Sequence, residues 1–184
     1  LLRVVSNIDE VEIQGAELGF NWRANNYLTF YSGFNWVDSE IQANTSRPAT
    51  IGNESPYTPE FTGNLALDFS KPISDRWIFT ASAYLNLVGE TWFHTVQEEE
   101  RVTLFNAFFP GLGVADYSLT RRDSYETLDL RLGATTAKWG ITLFANNLGD
   151  EEYLEEVITA PEFGGSFIHP GALRRVGVEL AYRF

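Results

Sequence analysis

Apolar and polar residues alternate with a period of two over most of this chain. In the last ten positions, 175–184, every even-numbered residue is apolar or aromatic and every charged residue is odd-numbered. A strand with this pattern presents one face to an apolar environment and the other to water. About ten residues is also the length that crosses a bilayer when a strand is tilted. Six earlier segments alternate in the same way: 16–23, 28–36, 62–69, 77–87, 127–134 and 139–146.

The links between these segments alternate between short and long. The short links are 24–26, 70–75 and 135–138, and the long links are 38–58, 89–124 and 148–173. Transmembrane barrels have this layout, with tight periplasmic turns and long extracellular loops, whereas soluble all-β domains seldom place three such long loops at one edge. The pattern therefore predicts an all-β fold, an antiparallel transmembrane β-barrel segment, with Phe184 on the periplasmic side.

Composition supports this fold and removes other classes of protein. The 184 residues contain no apolar run of the roughly 18 residues that a transmembrane helix needs. A membrane protein without such a run must satisfy its backbone in a closed barrel. The lack of cysteine excludes a disulfide framework and a thiolate metal site. The net charge of -12 argues against a nucleic-acid partner.

Two segments depart from the simple alternation. Val11 and Ile13 are odd-numbered, whereas the apolar positions that follow Gly15 are even-numbered, so Gly15 marks either a bulge or the point where the strand leaves the membrane. The segment Glu151–Ile158 has apolar residues at i, i+1, i+4 and i+5. That spacing predicts a turn or two of helix within the last long link.

The charged residues suggest pairing and solvation. Acidic residues cluster in the last two long links, where solvated surface charge is favoured over a cation site because no ligand spacing is enforced. Arg174 and Arg175 could pair with lipid phosphates or an anionic chelate, but ion pairs with Glu179 or Asp129 on the polar face are favoured. The sequence predicts no metal site.

Several motifs resemble the C-terminal part of TonB-dependent outer-membrane receptors. Gly15-Ala16-Glu17 at the start of a strand is similar to a recurrent Gly-x-Glu strand of that family. Pro56–Thr62 is similar to a segment that enters another barrel strand. Phe144–Tyr153, followed by Pro170–Arg175, resembles the Asn-rich strand end and the Asp-x-x-Tyr motif before the last loop.

The resemblance implies a fold and a place in the cell. The chain would supply about seven strands of a barrel of roughly 22 strands, with all of 1–184 in the C-terminal part of the barrel domain and the plug domain absent from this chain. The protein would lie in the bacterial outer membrane with its C-terminus in the periplasm. Its neighbours would be outer-membrane lipid and lipopolysaccharide, and the barrel-assembly machinery would recognise Tyr182 and Phe184.

The resemblance also implies a function. Members of the family import a scarce ligand with energy from the TonB complex, which acts through the plug, and iron–siderophore chelates are the commonest cargo. The protein would therefore be a transport receptor and not an enzyme, and it would need no cofactor.

The long link 89–124 holds the candidate ligand contacts. Aromatic rings could stack on a catecholate or macrocycle, and guanidinium groups could attract an anionic chelate. The favoured alternative is that the aromatic residues form the loop's own small core. The candidates are Trp92, Phe93, His94, Phe105, Phe108, Phe109, Tyr117, Arg121 and Arg122.

Two other classes of protein remain open. A small closed barrel of eight strands with a structural or adhesive role would need an extra strand near Leu1–Val5, paired with the last strand. An outer-membrane protease or lipase would need a histidine beside a nucleophile or carboxylate. His94 and His169 lie in long links without a recognisable partner motif, which disfavours the enzyme.

Overall fold

Most of the described residues of the chain lie in extended strands. A computed structural model describes residues 7–97, 100–102, 108–109, 114–160 and 166–184. The strands in this part of the chain are β1 (Glu10–Arg23), β2 (Leu28–Ala43), β3 (Phe61–Pro72), β4 (Ile78–Val88), β5 (Thr91–Trp92), β6 (Glu100–Val102), β7 (Val114–Asp116), β8 (Arg121–Arg122), β9 (Tyr125–Thr135), β10 (Trp139–Asn146), β11 (Leu154–Ile158), β12 (Phe167–Pro170) and β13 (Arg175–Tyr182). Short 3-10 helices cover Pro48–Thr50 and Ser118–Thr120.

Seven long strands form one antiparallel sheet in the order β1-β2-β3-β4-β9-β10-β13. They coincide with the seven alternating segments, so the predicted all-β antiparallel fold is confirmed. Among the described residues β1 pairs only with β2, and β13 pairs only with β10, so the sheet is open. No helix in this part of the chain is long and apolar enough to cross a membrane.

The register aligns the apolar positions of neighbouring strands on one face. Leu18 lies opposite Phe34, and Leu143 lies between Leu132 and Val178. In a soluble sandwich this face would be buried against a second sheet. Here it is uncovered, and Leu18 keeps 71% of its surface exposed. An uncovered apolar face is what contact with lipid requires.

The opposite face of the sheet is polar and interlocked. Arg131 on β9 forms an ion pair with Glu179 on β13 across the intervening strand, and its guanidinium lies 5.7 Å from the Phe144 ring. That ring covers Gly177, where a Cβ would come within 2.5 Å of it. An aromatic ring over a glycine in this way shields a strand position that has no side chain of its own.

The register of β1 excludes one of the two interpretations of Gly15. Pairing with β2 runs without interruption from Val11 to Arg23, and the only shift in this ladder lies between Glu10 and Val11. The prediction of a bulge at Gly15 is therefore wrong. Ile13 lies on the polar face of the sheet. A Cβ at Gly15 would come within 2.3 Å of the Trp36 carbonyl oxygen, so glycine permits this close approach of the two strands.

Two local expectations are wrong. The predicted helical turn in Glu151–Ile158 is instead strand β11, which pairs with β12. Its apolar spacing fits a short helix or a short strand equally, and pairing across the loop decides for the strand. Arg174 pairs with Asp150 at 3.3 Å and not with Glu179, and the carboxylate of Glu179 pairs with Arg131 instead.

The long links all lie at one edge of the sheet. We call them the first loop (residues 44–60), the second loop (89–124) and the third loop (147–174). The short links 24–27, 73–77 and 136–138 lie at the opposite edge, as antiparallel pairing of the seven strands requires. Most fully buried side chains of the described residues belong to the loops or to the loop-side end of β2, so the loops have small cores of their own.

Candidate ligand-facing loops

The first and second loops are tied together by their backbones. The Tyr57 amide donates to the Trp92 carbonyl at 2.7 Å, and the Asn53 side chain donates to the Thr95 carbonyl at 2.9 Å. The Tyr57 ring meets the Phe93 ring edge to face, with centroids 5.3 Å apart. These contacts lay the start of the second loop against the first.

Three of the predicted contact residues are buried within this assembly. Trp92, Phe93 and Tyr117 are 4%, 5% and 5% exposed. Rings with so little exposed surface can meet a ligand only if the loop opens. Ligand contact through them therefore remains a prediction.

His94 lies between the first and second loops. Its Nδ1 accepts a hydrogen bond from the Val96 amide at 2.9 Å, and its Nε2 lies 3.1 Å from Nη1 of Arg47. Its ring centroid is 4.8 Å from that of Tyr117. The structure thus places His94 among protein partners.

The remaining aromatic candidates differ in position. Phe108 and Phe109 are 73% and 59% exposed, so they offer ring surface to solvent. Phe105 lies outside the described residues. These two exposed rings are the predicted aromatic contacts that a ligand could reach without rearrangement of the loop.

The two candidate arginines are both engaged with other protein groups. Arg121 pairs with Glu90 at 3.3 Å and Asp123 at 3.2 Å, and its guanidinium lies 5.6 Å from the Trp92 ring. Arg122 donates to the Thr91 hydroxyl at 2.7 Å and to the Leu154 carbonyl at 3.2 Å. Its half-buried position lowers the pKa of Arg122 from the ordinary value, because burial penalises the charged form.

A pair of stacked tyrosines lies beside Arg122. Tyr125 and Tyr153 are stacked with centroids 4.0 Å apart and planes 7° from parallel. The Arg122 guanidinium covers the Tyr125 ring at 5.0 Å. Gly171 lies against Tyr153, because a Cβ there would come within 2.2 Å of the Tyr153 ring. Neither tyrosine is among the ligand contacts predicted from the sequence, in which the Asp-x-x-Tyr motif is the one signal that marks Tyr153.

An open cavity of about 800 Å³ lies between the second and third loops. Two guanidinium groups and three carboxylates contribute to its lining, so its charge does not favour an anion. Within the described residues no group of three or more acidic, histidine or cysteine side chains is arranged to hold a metal. The cavity is lined by residues 121–125, 151–154, 170–171 and Leu173.

The third loop is closed at its base by Asn147. This residue is 5% exposed and has a φ of 47°, in the left-handed region that asparagine tolerates. Its side-chain nitrogen donates to the carbonyls of Glu151 at 2.9 Å and Ala172 at 3.0 Å, and its side-chain oxygen accepts from the Glu151 amide at 2.9 Å. Asn147 therefore joins the beginning and the end of the loop.

The terminal aromatic residues lie at the short-link edge. The Tyr182 ring lies 4.6 Å from that of Trp139 and 5.3 Å from that of Phe184. These contacts place an aromatic cluster at the end of the apolar face, where interfacial rings are found in membrane barrels. The role of Tyr182 and Phe184 in assembly remains a prediction.

The open sheet, its uncovered apolar face and its long loops at one edge define part of a membrane β-barrel. The family model described as TonB dependent receptor-like, beta-barrel matches residues 3–148. The chain belongs to this family, as its motifs predicted. Membership implies a location in the bacterial outer membrane.

Solved structures share the fold. The ferric yersiniabactin uptake receptor FyuA from Yersinia pestis matches with a TM-score of 0.72 at 20% identity, over 95% of this chain and 24% of the receptor. The siderophore receptor PiuA from Acinetobacter baumannii matches with a TM-score of 0.66 at 15% identity, over 94% and 22%. BauA, the ferric preacinetobactin receptor from the same organism, matches with a TM-score of 0.64 at 15% identity, over 94% and 22%. The chain thus spans about a quarter of the length of these receptors.

Proposed function

We propose that this chain is the C-terminal part of the barrel domain of a receptor that imports an iron–siderophore complex with energy from TonB. The observation that carries the proposal is the family match over residues 3–148. The proposed cargo class is supported by the proteins that share the fold. They include a siderophore receptor and receptors for ferric yersiniabactin and ferric preacinetobactin. The chain's own role is to supply barrel strands and ligand-facing loops, without bond-making chemistry.

The open sheet supports membership of a larger barrel. A lipid-exposed strand edge leaves backbone groups unsatisfied, so β1 and β13 need neighbours. The alternative of a small closed eight-stranded barrel needs pairing between the first and last strands, and the described residues have none. We therefore place the plug domain, through which TonB would act, outside this chain.

The orientation follows from the loop lengths. Long loops of membrane barrels lie outside the cell and short turns lie in the periplasm, so the C-terminus of this chain is placed in the periplasm. The apolar face then meets outer-membrane lipid, and lipopolysaccharide surrounds the loops. Tyr182 and Phe184 are the groups offered to the barrel-assembly machinery.

The ligand contacts of the second loop would be the side chains that a chelate could reach. Phe108 and Phe109 expose ring surface on the second loop, and an aromatic siderophore could stack on them. Arg121 lines the cavity, but its charge is shared with Glu90 and Asp123. Stacking is therefore the principal interaction proposed for the second loop, with charge attraction secondary.

Uptake by a strain that lacks the receptor gene tests the function. Restoring the complete receptor should restore growth under iron limitation and uptake of radiolabelled ferric siderophore, and both should require TonB. The variant Phe108→Ala should weaken uptake of an aromatic siderophore. Leu119→Ala is the matched control, because Leu119 is also 73% exposed in the same loop. Equal uptake with and without the receptor, for every ferric siderophore offered, would refute the proposal.

A further inference from the structure

We infer that Arg122 is a positioning residue that joins the second and third loops into one unit. It belongs to a column of five residues in contact, which runs from the second loop through Tyr125, the first residue of β9, to the third loop. In order along the column they are Phe93, Arg122, Tyr125, Tyr153 and Gly171. The inference rests on the proposed function only for its consequence in ligand binding.

The column is continuous, and its members come from the second loop, the start of β9 and the third loop. The Arg122 guanidinium lies 5.5 Å from the Phe93 ring and 5.0 Å from the Tyr125 ring, on the side of the second loop. Tyr125 then stacks on Tyr153 of the third loop at 4.0 Å. Gly171 closes the far end, and its amide donates to the Tyr153 carbonyl at 2.8 Å.

Hydrogen bonds from Arg122 reinforce the same connection. One guanidinium nitrogen donates to the Thr91 hydroxyl within the second loop, at 2.7 Å. The other terminal nitrogen, Nη1, donates to the carbonyls of Leu154 at 3.2 Å and Glu155 at 3.5 Å, in the third loop. Because a guanidinium is planar and has five donors in a fixed arrangement, it can stack and bond in two directions at once.

These contacts assign Arg122 a different role from its neighbour. Its guanidinium lies over two aromatic rings, and both of its terminal nitrogens donate to protein oxygens. Arg121 points to exposed carboxylates and keeps much of its surface in solvent. A chelate could attract Arg121 without disturbing the loops, whereas it could engage Arg122 only by opening the column.

The consequence is that the two loops open and close together. A displacement of the third loop pulls Tyr153 from Tyr125 and breaks the carbonyl contacts of Arg122. A ligand that favours one position of either loop therefore biases the other loop in the same direction, which is coupling in the thermodynamic sense.

Amide hydrogen exchange in the complete receptor, measured without cargo, tests the coupling. For each variant, the exchange rate is measured at an amide of the opposite loop. The reporter for Arg122→Ala is the Gly171 amide. The reporter for Gly171→Ala is the Phe93 amide, which donates to the Thr120 carbonyl at 2.9 Å. We expect exchange at each reporter to become at least about tenfold faster, because several stacking and hydrogen-bond contacts are lost together. Arg122→Lys should give an intermediate acceleration, since lysine keeps the charge and loses the planar face.

Matched controls separate the column from general loop damage. Arg121→Ala removes an adjacent cation outside the column, and Gly149→Ala adds a Cβ in the third loop with nothing within 4 Å. Both controls should leave the opposite loop unchanged. Acceleration confined to the mutated loop in Arg122→Ala and Gly171→Ala would overturn the inference. If exchange in the two loops were coupled but the receptor imported no ferric siderophore, the role of Arg122 would be supported and the proposed cargo would be refuted.

Discussion

Replacement of Asn147 by alanine should loosen the third loop while leaving the barrel strands intact. The substitution removes all three hydrogen bonds that the side chain makes to Glu151 and Ala172. It also places alanine at a φ of 47°, where asparagine is better tolerated than other residues with a Cβ. Both effects act on the closed loop and not on the strands.

The magnitude follows from these two losses. Three part-buried hydrogen bonds contribute about 1 kcal/mol each, so their removal costs about 3 kcal/mol. The left-handed backbone adds about 1 kcal/mol for alanine. Together the loop-opening free energy should fall by about 4 kcal/mol, which is a roughly thousandfold increase in the open population. Asn147→Gly loses the same bonds without the backbone cost and should give an increase of roughly 150-fold in the open population.

Amide exchange at Gly171 in the complete receptor measures this opening, because its hydrogen bond to Tyr153 holds the loop closed. Amides of β9 and β10 serve as the internal reference and should not change. Acceleration below about threefold in Asn147→Ala would refute the reasoning, since it would mean that less than about 1 kcal/mol depends on the three bonds. If Asn147→Ala and Asn147→Gly accelerated exchange equally, the contribution of the left-handed backbone would be refuted and that of the hydrogen bonds would stand.

Two further substitution pairs test the sheet and its orientation. Gly177→Ala should lower barrel stability by about 1–3 kcal/mol through overpacking against Phe144, measured as the temperature at which the folded band is lost in a gel-mobility assay. Gly140→Ala, whose Cβ would meet ordinary contacts at 3.6 Å, should leave that temperature nearly unchanged; equal losses would contradict the packing argument. Since this sequence has no cysteine, Ile51→Cys in the first loop should react with an impermeant maleimide on intact cells, and Ile73→Cys only after the outer membrane is permeabilised. The reverse labelling pattern would invert the proposed orientation.

The sheet was predictable because its pattern is local and repeated. Each long strand carries a period-two alternation, and the links alternate in length, so strand positions, antiparallel order and the two edges follow without knowledge of distant contacts. The loops were less predictable. Residues 154–158 have a spacing that suits a helix or a strand, and only pairing with Phe167–Pro170 decides between them.

The arginines show the same limit at the candidate site. In the sequence, Arg121 and Arg122 are adjacent cations in a loop with many aromatic residues. Both are candidates for binding an anionic chelate. In the structure Arg121 pairs with Glu90 and Asp123, whereas the Arg122 guanidinium lies over two rings and is bonded to the third loop. Contacts between residues about 30 positions apart produce this difference, and no motif in the second loop encodes them.

By itself the sequence determined the membrane-barrel fold and the family, since lipid on one face and water on the other impose a periodic pattern on every strand. The tertiary structure alone decided which loop residues are buried, which arginine remains accessible and how the three loops hold one another. The physical reason is that loop conformation depends on a few specific contacts between distant residues. Such contacts leave no periodic trace along the chain.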